Sequence, residues 1–124
     1  MLAREHGHVD IYHIWCNLRP GVSDVEFAER THRYLDALKA DGRLVSHRVT
    51  RAKLGLRPRT LPEFHIMIEI ENLAQLDQAF AAVATRADPI EGLHHAVNSL
   101  VVDATFALYR DFPDAFRQRG QERF

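Results

Sequence analysis

The stretch "YHIWCNL" alternates: Tyr12, Ile14, Cys16 and Leu18 are oily, while His13, Trp15 and Asn17 are residues that line sites. Strand side chains point to opposite faces in turn. The pattern therefore predicts a strand, from about His8 to Leu18, with one face on a core and the other on something else. "RPGVSDVEF" ends it. Pro20-Gly21 turns the chain, Ser23 and Glu26 have capping-box spacing, and Val22 with Phe27 has the spacing of a hydrophobic staple. The helix that follows carries Phe27, Thr31, Tyr34, Leu35 and Leu38 on one face. Asp41-Gly42 ends it, with Gly42 suited to a left-handed cap.

"RLVSHRVTRAKL" predicts a second strand, and "GLRPRTLPE" a polar connection. "EFHIMIEIE" is a strand whose Phe64, Ile66, Ile68 and Ile70 alternate with His65, Met67, Glu69 and Glu71. Asn72 caps a second helix with the stripe Leu73, Leu76, Phe80 and Val83, broken at Asp88-Pro89. "IEGLHHAV" reads as a short helical turn or a loop, "NSLVVDATFALY" as the last strand, and "RDFPDAFRQRGQERF" as a charged tail. The order β-α-β-β-α-β is the ferredoxin-like pattern. It is an α+β fold with a four-stranded antiparallel sheet and two helices on one face. The expected organisation is one domain over residues 1–124, with a core from about 8 to 110 and a tail from 111 to 124.

Sorting strand residues by parity predicts two unlike faces. One set is nearly all apolar and should meet the helices: Ile14, Cys16 and Leu18; Val45 and Val49; Phe64 to Ile70 at alternate positions; Val102, Ala104, Phe106 and Leu108. His47 and Tyr12 interrupt it. The other set mixes charges with large apolar groups: Ile11, His13, Trp15 and Asn17; Arg48; His65, Met67 and Glu69; Val101, Asp103 and Thr105. An antiparallel sheet can leave such a face to water. A contiguous apolar patch tends instead to be covered, so a dimer interface, or a cavity closed by dimerisation, competes with open solvent.

Composition narrows the function classes. The chain has 124 residues, 46% hydrophobic and 27% charged, with a formal net charge of -1. That is an ordinary globular composition, without a whole-molecule attraction for nucleic acid or membrane. "MLAREHGHVD" has no apolar signal core, and no apolar run approaches the ~20 residues of a membrane helix. The single cysteine, Cys16, cannot staple the domain and suits a reducing cytoplasm. It lies among the oily alternates, as a buried structural thiol would.

Chemistry concentrates on the mixed face. Adjacent first and third strands bring His13, His65 and Glu69 within reach of one another, as an acid-base set or as two imidazoles and a carboxylate for a metal. The spacing is not that of HExxH, so a hydrogen-bonded network is favoured over a metal, and no metal or cofactor is expected. Arg48 suits an anionic group or a salt bridge to Glu69 or Asp103. Asn17 can stabilise oxyanion charge, and Trp15 can stack on an aromatic ligand or pack. Met67 would shape a pocket. Asp103 can act as a base or as the partner of Arg48. Six basic residues and no acid lie between Arg43 and Arg59, which fits a solvated basic hairpin. The third strand lacks the basic-Gly-aromatic motif of RNA-recognition domains. His94-His95 and His6 with His8 read as surface residues.

The order of elements, "YHIWCNLRPG", "FHIMIEI" and "ALYRDFPD" resemble the dimeric α/β-barrel superfamily, ferredoxin-like domains whose sheets pack face to face. Within it they are closest to a small bacterial family of uncharacterised proteins. The resemblance implies a homodimer. The superfamily includes cofactor-independent monooxygenases, muconolactone isomerases, haem-degrading oxygenases and haem peroxidases. Haem-degrading members use an Asn, a Trp and a His on separate elements, whereas Asn17, Trp15 and His13 share one strand, so haem is not expected. The resulting expectation is a homodimeric binder of a small anionic or aromatic ligand, acting as a cofactor-independent monooxygenase or isomerase in a cavity on the helix-free face. There His13, His65 and Glu69 are the catalytic candidates, and Trp15, Asn17, Arg48, Met67 and Asp103 the substrate contacts. A non-catalytic ligand- or partner-binding dimer is the alternative.

Overall fold

A computed structural model describes residues 9–114 and 119–120. The elements run β1 (Asp10–Leu18), α1 (Asp24–Ala40), β2 (Ser46–Arg51), β3 (Phe64–Ile70), α2 (Leu73–Ala84), α3 (Ile90–Asn98) and β4 (Val101–Arg110). The sheet order is β2-β3-β1-β4, and every neighbouring pair is antiparallel. This is the expected ferredoxin-like arrangement, with β1 and β3 at the centre.

Local chemistry sets the helix ends as the sequence implies. The Ser23 side chain accepts from the Glu26 amide at 3.2 Å. The Glu26 carboxylate does not reach back; it pairs with Arg30 at 2.7 Å. After α1, Gly42 has φ 72°, the Gly42 amide donates to Lys39 O at 2.9 Å and the Arg43 amide to Leu38 O at 2.9 Å. That pair of bonds is a Schellman closure, which needs the left-handed residue that glycine supplies. Asn72 caps α2 by accepting from the Gln75 amide at 2.9 Å.

Two expectations need correction. Among the described residues the helices number three, not two: "IEGLHHAV" forms α3. Its Ile90 is buried, and Val97 and Leu93 follow at helical spacing. Asp88 Oδ1 accepts from the Gly92 amide at 3.2 Å, and the Arg30 guanidinium donates to Ala96 O at 3.1 Å, tying α3 to α1. A nine-residue segment is short for a helix judged by pattern alone. The second correction is the parity of β4. The β1–β4 register shifts between Trp15 and Asn17, and Asp103 sits there with φ 58°. One extra residue in a bulge reverses the faces beyond it. Val102 therefore opposes Asn17, and Val101 opposes Leu18 and packs on the core.

The core lies under α1 and α2. Phe27 and Ile70 are fully buried, with Leu35, Leu38 and Ile66 around them. Phe27 meets Phe64 edge-on at 5.0 Å. His47, which interrupts the apolar set, is accounted for by partners on α1. Its Nε2 lies 3.2 Å from His32 Nδ1 and 3.6 Å from Asp36 Oδ1. At the sheet edge buried Asp10 accepts from Arg110 at 2.5 Å and 3.3 Å, joining β1 to the end of β4. No helix among the described residues is long and apolar enough to cross a membrane.

Candidate functional site

The helix-free face carries an aromatic plate. Trp15 stands directly across from His65 in the β1–β3 register, and their rings stack at 4.4 Å. His13 is diagonal to His65, and His13 Nδ1 lies 2.8 Å from His65 Nε2. His13 also stacks on Trp15 at 5.5 Å and meets Tyr109 edge-on at 4.9 Å. A nitrogen–nitrogen contact this short needs one N–H and one lone pair, so it holds with at least one ring neutral. Burial pushes the His13 pKa below its ordinary value. Burial, then the neighbouring His13 charge, does the same for His65. His13 Nε2 is buried without a hydrogen-bond partner among the described residues.

The remaining residues singled out on this face divide. Asn17 is a brace at the strand end: its Oδ1 accepts from the Glu63 amide at 2.9 Å, and its Nδ2 donates to Asp103 Oδ2 at 3.2 Å. Both ends of the amide are thereby engaged, and Asp103 is held at the bulge. Met67 lies between His13 and Arg48 in the register, while Glu69 stands two residues farther along, opposite Ile11 and Ser46. The structure thus joins His13, Trp15 and His65, and separately Asn17 and Asp103. Glu69 is diagonal to His13 on the side of Met67 away from His65. No group of three or more His, Cys, Asp or Glu side chains able to hold a metal occurs among the described residues. The basic hairpin is only partly free: Arg51 pairs with Asp24 at 2.9 Å and Glu63 at 2.5 Å, and Arg43 donates to Gln78 O at 3.0 Å.

A half-open apolar chamber of about 340 Å³ lies on the other face, between the sheet and all three helices of the described residues. Tyr12, Ile14 and Cys16 of β1 and Ile66 of β3 form its back wall; Thr31, Tyr34 and Leu35 come from α1. Phe80 and Ala84 of α2, His94 and Asn98 of α3, and Ala104 and Phe106 of β4 frame the open side. Cys16, Thr31, Leu35 and Ile66 are buried, whereas Phe80, Ala84, Asn98 and Phe106 are exposed, so the chamber has a buried floor and an exposed rim. Tyr12 meets Phe80 edge-on at 5.5 Å and stacks on Phe106 at 6.1 Å. Tyr34 lies 5.4 Å from His94. The volume falls within the range of ligand sites, which are mostly apolar with a few polar groups.

The chamber wall carries few titratable groups. No Asp, Glu, Lys or Arg lines it. Burial pushes the Cys16 thiol up to about 11. Burial, with a smaller contribution from Tyr12, pushes Tyr34 up to about 12, and burial raises Tyr12 as well. Cys16 is therefore the inert buried thiol expected of its place in the strand. His94, which reads from sequence as a surface residue, instead lines the chamber. Sequence reasoning also passes over Thr31 and Tyr34 as stripe residues and Tyr12 as an interruption. The signal was present: each puts a polar tip on a face otherwise oily.

The chain matches the model of the Family of unknown function (DUF6614) over residues 9–124. It belongs to this family. None of the curated proteins compared with it matches. Among solved structures, it is similar to a hydroxynitrile lyase from Passiflora edulis, with 8% identity, a TM-score of 0.64 and coverage of 86% of this chain and 96% of that one. It is also similar to SnoaB, a cofactor-independent oxygenase from Streptomyces nogalater, at 12% identity and TM-score 0.59, over 92% and 96% of the two chains. A dimeric protein of unknown function and ferredoxin-like fold from Bacteroides fragilis matches at 13% identity and TM-score 0.52, over 82% and 95%. At these identities the likeness establishes the fold and leaves the chemistry open.

Proposed function

We propose that the protein is a homodimer that binds an apolar small molecule in the chamber of each protomer and transforms it without a cofactor, as an oxygenase or an isomerase. The observation that carries this reading is the chamber itself: about 340 Å³, with a buried floor, no Asp, Glu, Lys or Arg in its wall and one open rim. The Tyr34–His94 contact at 5.4 Å puts a phenol and an imidazole on the same wall, a pair able to move a proton at a bound ligand. SnoaB, named as a cofactor-independent oxygenase, shares the fold and supports the reaction class. The plate of half-buried Trp15 and His13 with exposed Tyr109 supports a second copy on the helix-free face, as does the dimeric Bacteroides fragilis neighbour.

The test combines binding and turnover. Ala84→Trp at the rim should abolish binding of a two-ring probe such as 1-tetralone and leave the melting temperature within a few degrees of wild type. Cofactor-free oxygen uptake with a polycyclic phenol should be lost in the same variant and reduced in His94→Gln. Binding and turnover unaffected by Ala84→Trp would remove the chamber from consideration. Light scattering at micromolar protein should give twice the 14.3 kDa chain mass; a monomer would sink the dimer.

A second reading is favoured by the 2.8 Å His13–His65 contact. Here the imidazole pair is the acid-base set of a cavity closed between two helix-free faces. Glu69, Arg48, Asn17 and Asp103 supply charge, and Trp15 and Met67 the walls. His65→Leu separates the two readings. It should abolish turnover if the outer pair is catalytic and leave turnover intact if the chamber is the site.

A further inference from the structure

A threonine in the floor of the chamber carries a hydroxyl with nothing to bond among the described residues. Thr31 sits on α1 one turn from both Phe27 and Leu35, is 1% exposed, and lines the chamber. Its Oγ1 has no hydrogen-bond partner among the described residues and is itself shut off from solvent, so an oxygen in the chamber reaches it by a turn of the Thr31 side chain about χ1, for which threonine in a helix has two rotamers. A threonine hydroxyl both donates and accepts. Unpaired under apolar packing it costs stability that a valine of the same shape would not, and buried polar atoms left without partners are few enough that each calls for a cause.

The rest of the lining limits what the partner can be. With no Asp, Glu, Lys or Arg in the wall, an ionised ligand would lose its hydration without a fixed counter-charge. A pure hydrocarbon would leave the Thr31 hydroxyl as it stands. Tyr12 with Phe80 and Phe106 offers flat walls on which a ring packs well. Resting on the reading of the chamber as the ligand site, we propose that Thr31 determines specificity by bonding the carbonyl or hydroxyl oxygen of an uncharged, ring-bearing ligand that enters oxygen-first past Phe106. The other polar tips lie higher in the wall, at half-buried Tyr12, Tyr34 and His94, which leaves the hydroxyl on the floor to set the ligand's orientation.

Three probes of one shape test this by calorimetry on the full chain: 1-tetralone, its hydrocarbon tetralin, and 1-naphthoate. Wild type should bind tetralone about tenfold tighter than tetralin, the ordinary worth of one buried hydrogen bond, and naphthoate more weakly than either. Thr31→Val should bring tetralone down to the tetralin level, leave tetralin unchanged, and melt no lower than wild type. Thr31→Ser keeps the hydroxyl and should keep the preference, which separates bonding from packing. Equal binding of tetralone and tetralin in wild type and Thr31→Val, or tightest binding of naphthoate, overturns the role of Thr31 while the chamber stands. Failure of all three probes to bind wild type, or binding that survives Ala84→Trp, overturns the chamber and Thr31 with it.

Discussion

The two faces of β3 are built from one backbone and differ by a single step along it. Phe64, Ile66, Ile68 and Ile70 are buried against the helices, while His65, Met67 and Glu69 between them are half-exposed on the other side. The polar face looks like the place for chemistry, yet many of its polar groups are engaged with one another: His13 with His65, Asn17 with Glu63 and Asp103. The oily face looks like plain core, yet it contains the chamber and the unbonded Thr31 hydroxyl. Apart from the buried His13 Nε2, the groups of the outer cluster bond one another, as groups that serve folding or assembly do. An unsatisfied atom in an apolar wall reports on something that comes and goes. For locating a site, the state of each polar group says more than the number of them.

The largest expected effect tests the inner face as core. Phe27 has no exposed surface and packs edge-on against Phe64. Phe27→Ala should cost about 3–5 kcal/mol, the usual range for a buried aromatic whose cavity does not collapse. Urea melts monitored by circular dichroism measure it. A cost under about 1 kcal/mol would mean that the inner face is loosely packed throughout and that the chamber is one void among several. On the outer face Trp15→Ala should cost the protomer less, because Trp15 is only half-buried there, and should show chiefly as a lower dimer mass in light scattering.

A middle-sized effect comes from pH. His13 and His65 have pKa values lowered in the folded protein, so the unfolded chain binds more protons as pH falls through their ordinary value of 6.5. Their contribution to stability is therefore full above about pH 6.5 and is lost as pH drops toward the depressed folded values. Buried His47 on the inner face is lowered too, chiefly by burial, with Asp36 opposing, and acts in the same window. The acid loss of wild type minus that of His65→Leu isolates the outer pair. Denaturant melts from pH 7.5 to pH 5 should be shallower for the variant. Parallel curves would show that His47 carries the whole dependence and that the outer pair is electrostatically idle.

The fold was largely legible because alternation in β1 and β3 and the caps at Ser23, Asn72 and Gly42 are local signals, read from neighbours in the chain. What was not legible depends on contacts far apart in sequence. The bulge at Asp103 reverses Val101 and Val102, and no local pattern announces it. The helix α3 rests on an interaction between Arg30 and Ala96 across 66 residues. For the candidate site, pairing His13, Trp15 and His65 needed only strand adjacency, which topology supplied. The chamber needed the gap between three helices and a sheet, a volume set by packing. Thr31, Tyr34 and Tyr12 were visible as polar tips on an oily face, but whether such tips find partners is decided only in three dimensions.

The smallest expected effect belongs to Arg48. It lies on the outer face opposite Met67 and is exposed in the protomer. Exposed charges at a sheet surface contribute little to folding, and an ion pair there is worth under about 1 kcal/mol. Arg48→Ala should therefore shift protomer stability by less than about 0.5 kcal/mol. Because a dimer's apparent stability depends on protein concentration, the melt is run as a dilution series and the limit at low concentration is compared. If the outer face serves assembly, wild type and variant converge on dilution and separate as concentration rises, with the gap narrowing in high salt as the charge is screened. If the gap instead persists at the lowest concentration and exceeds about 1.5 kcal/mol, Arg48 is holding the protomer together. The outer face would then carry folding energy of its own, and the contrast between a core face and an assembly face would fail at this residue.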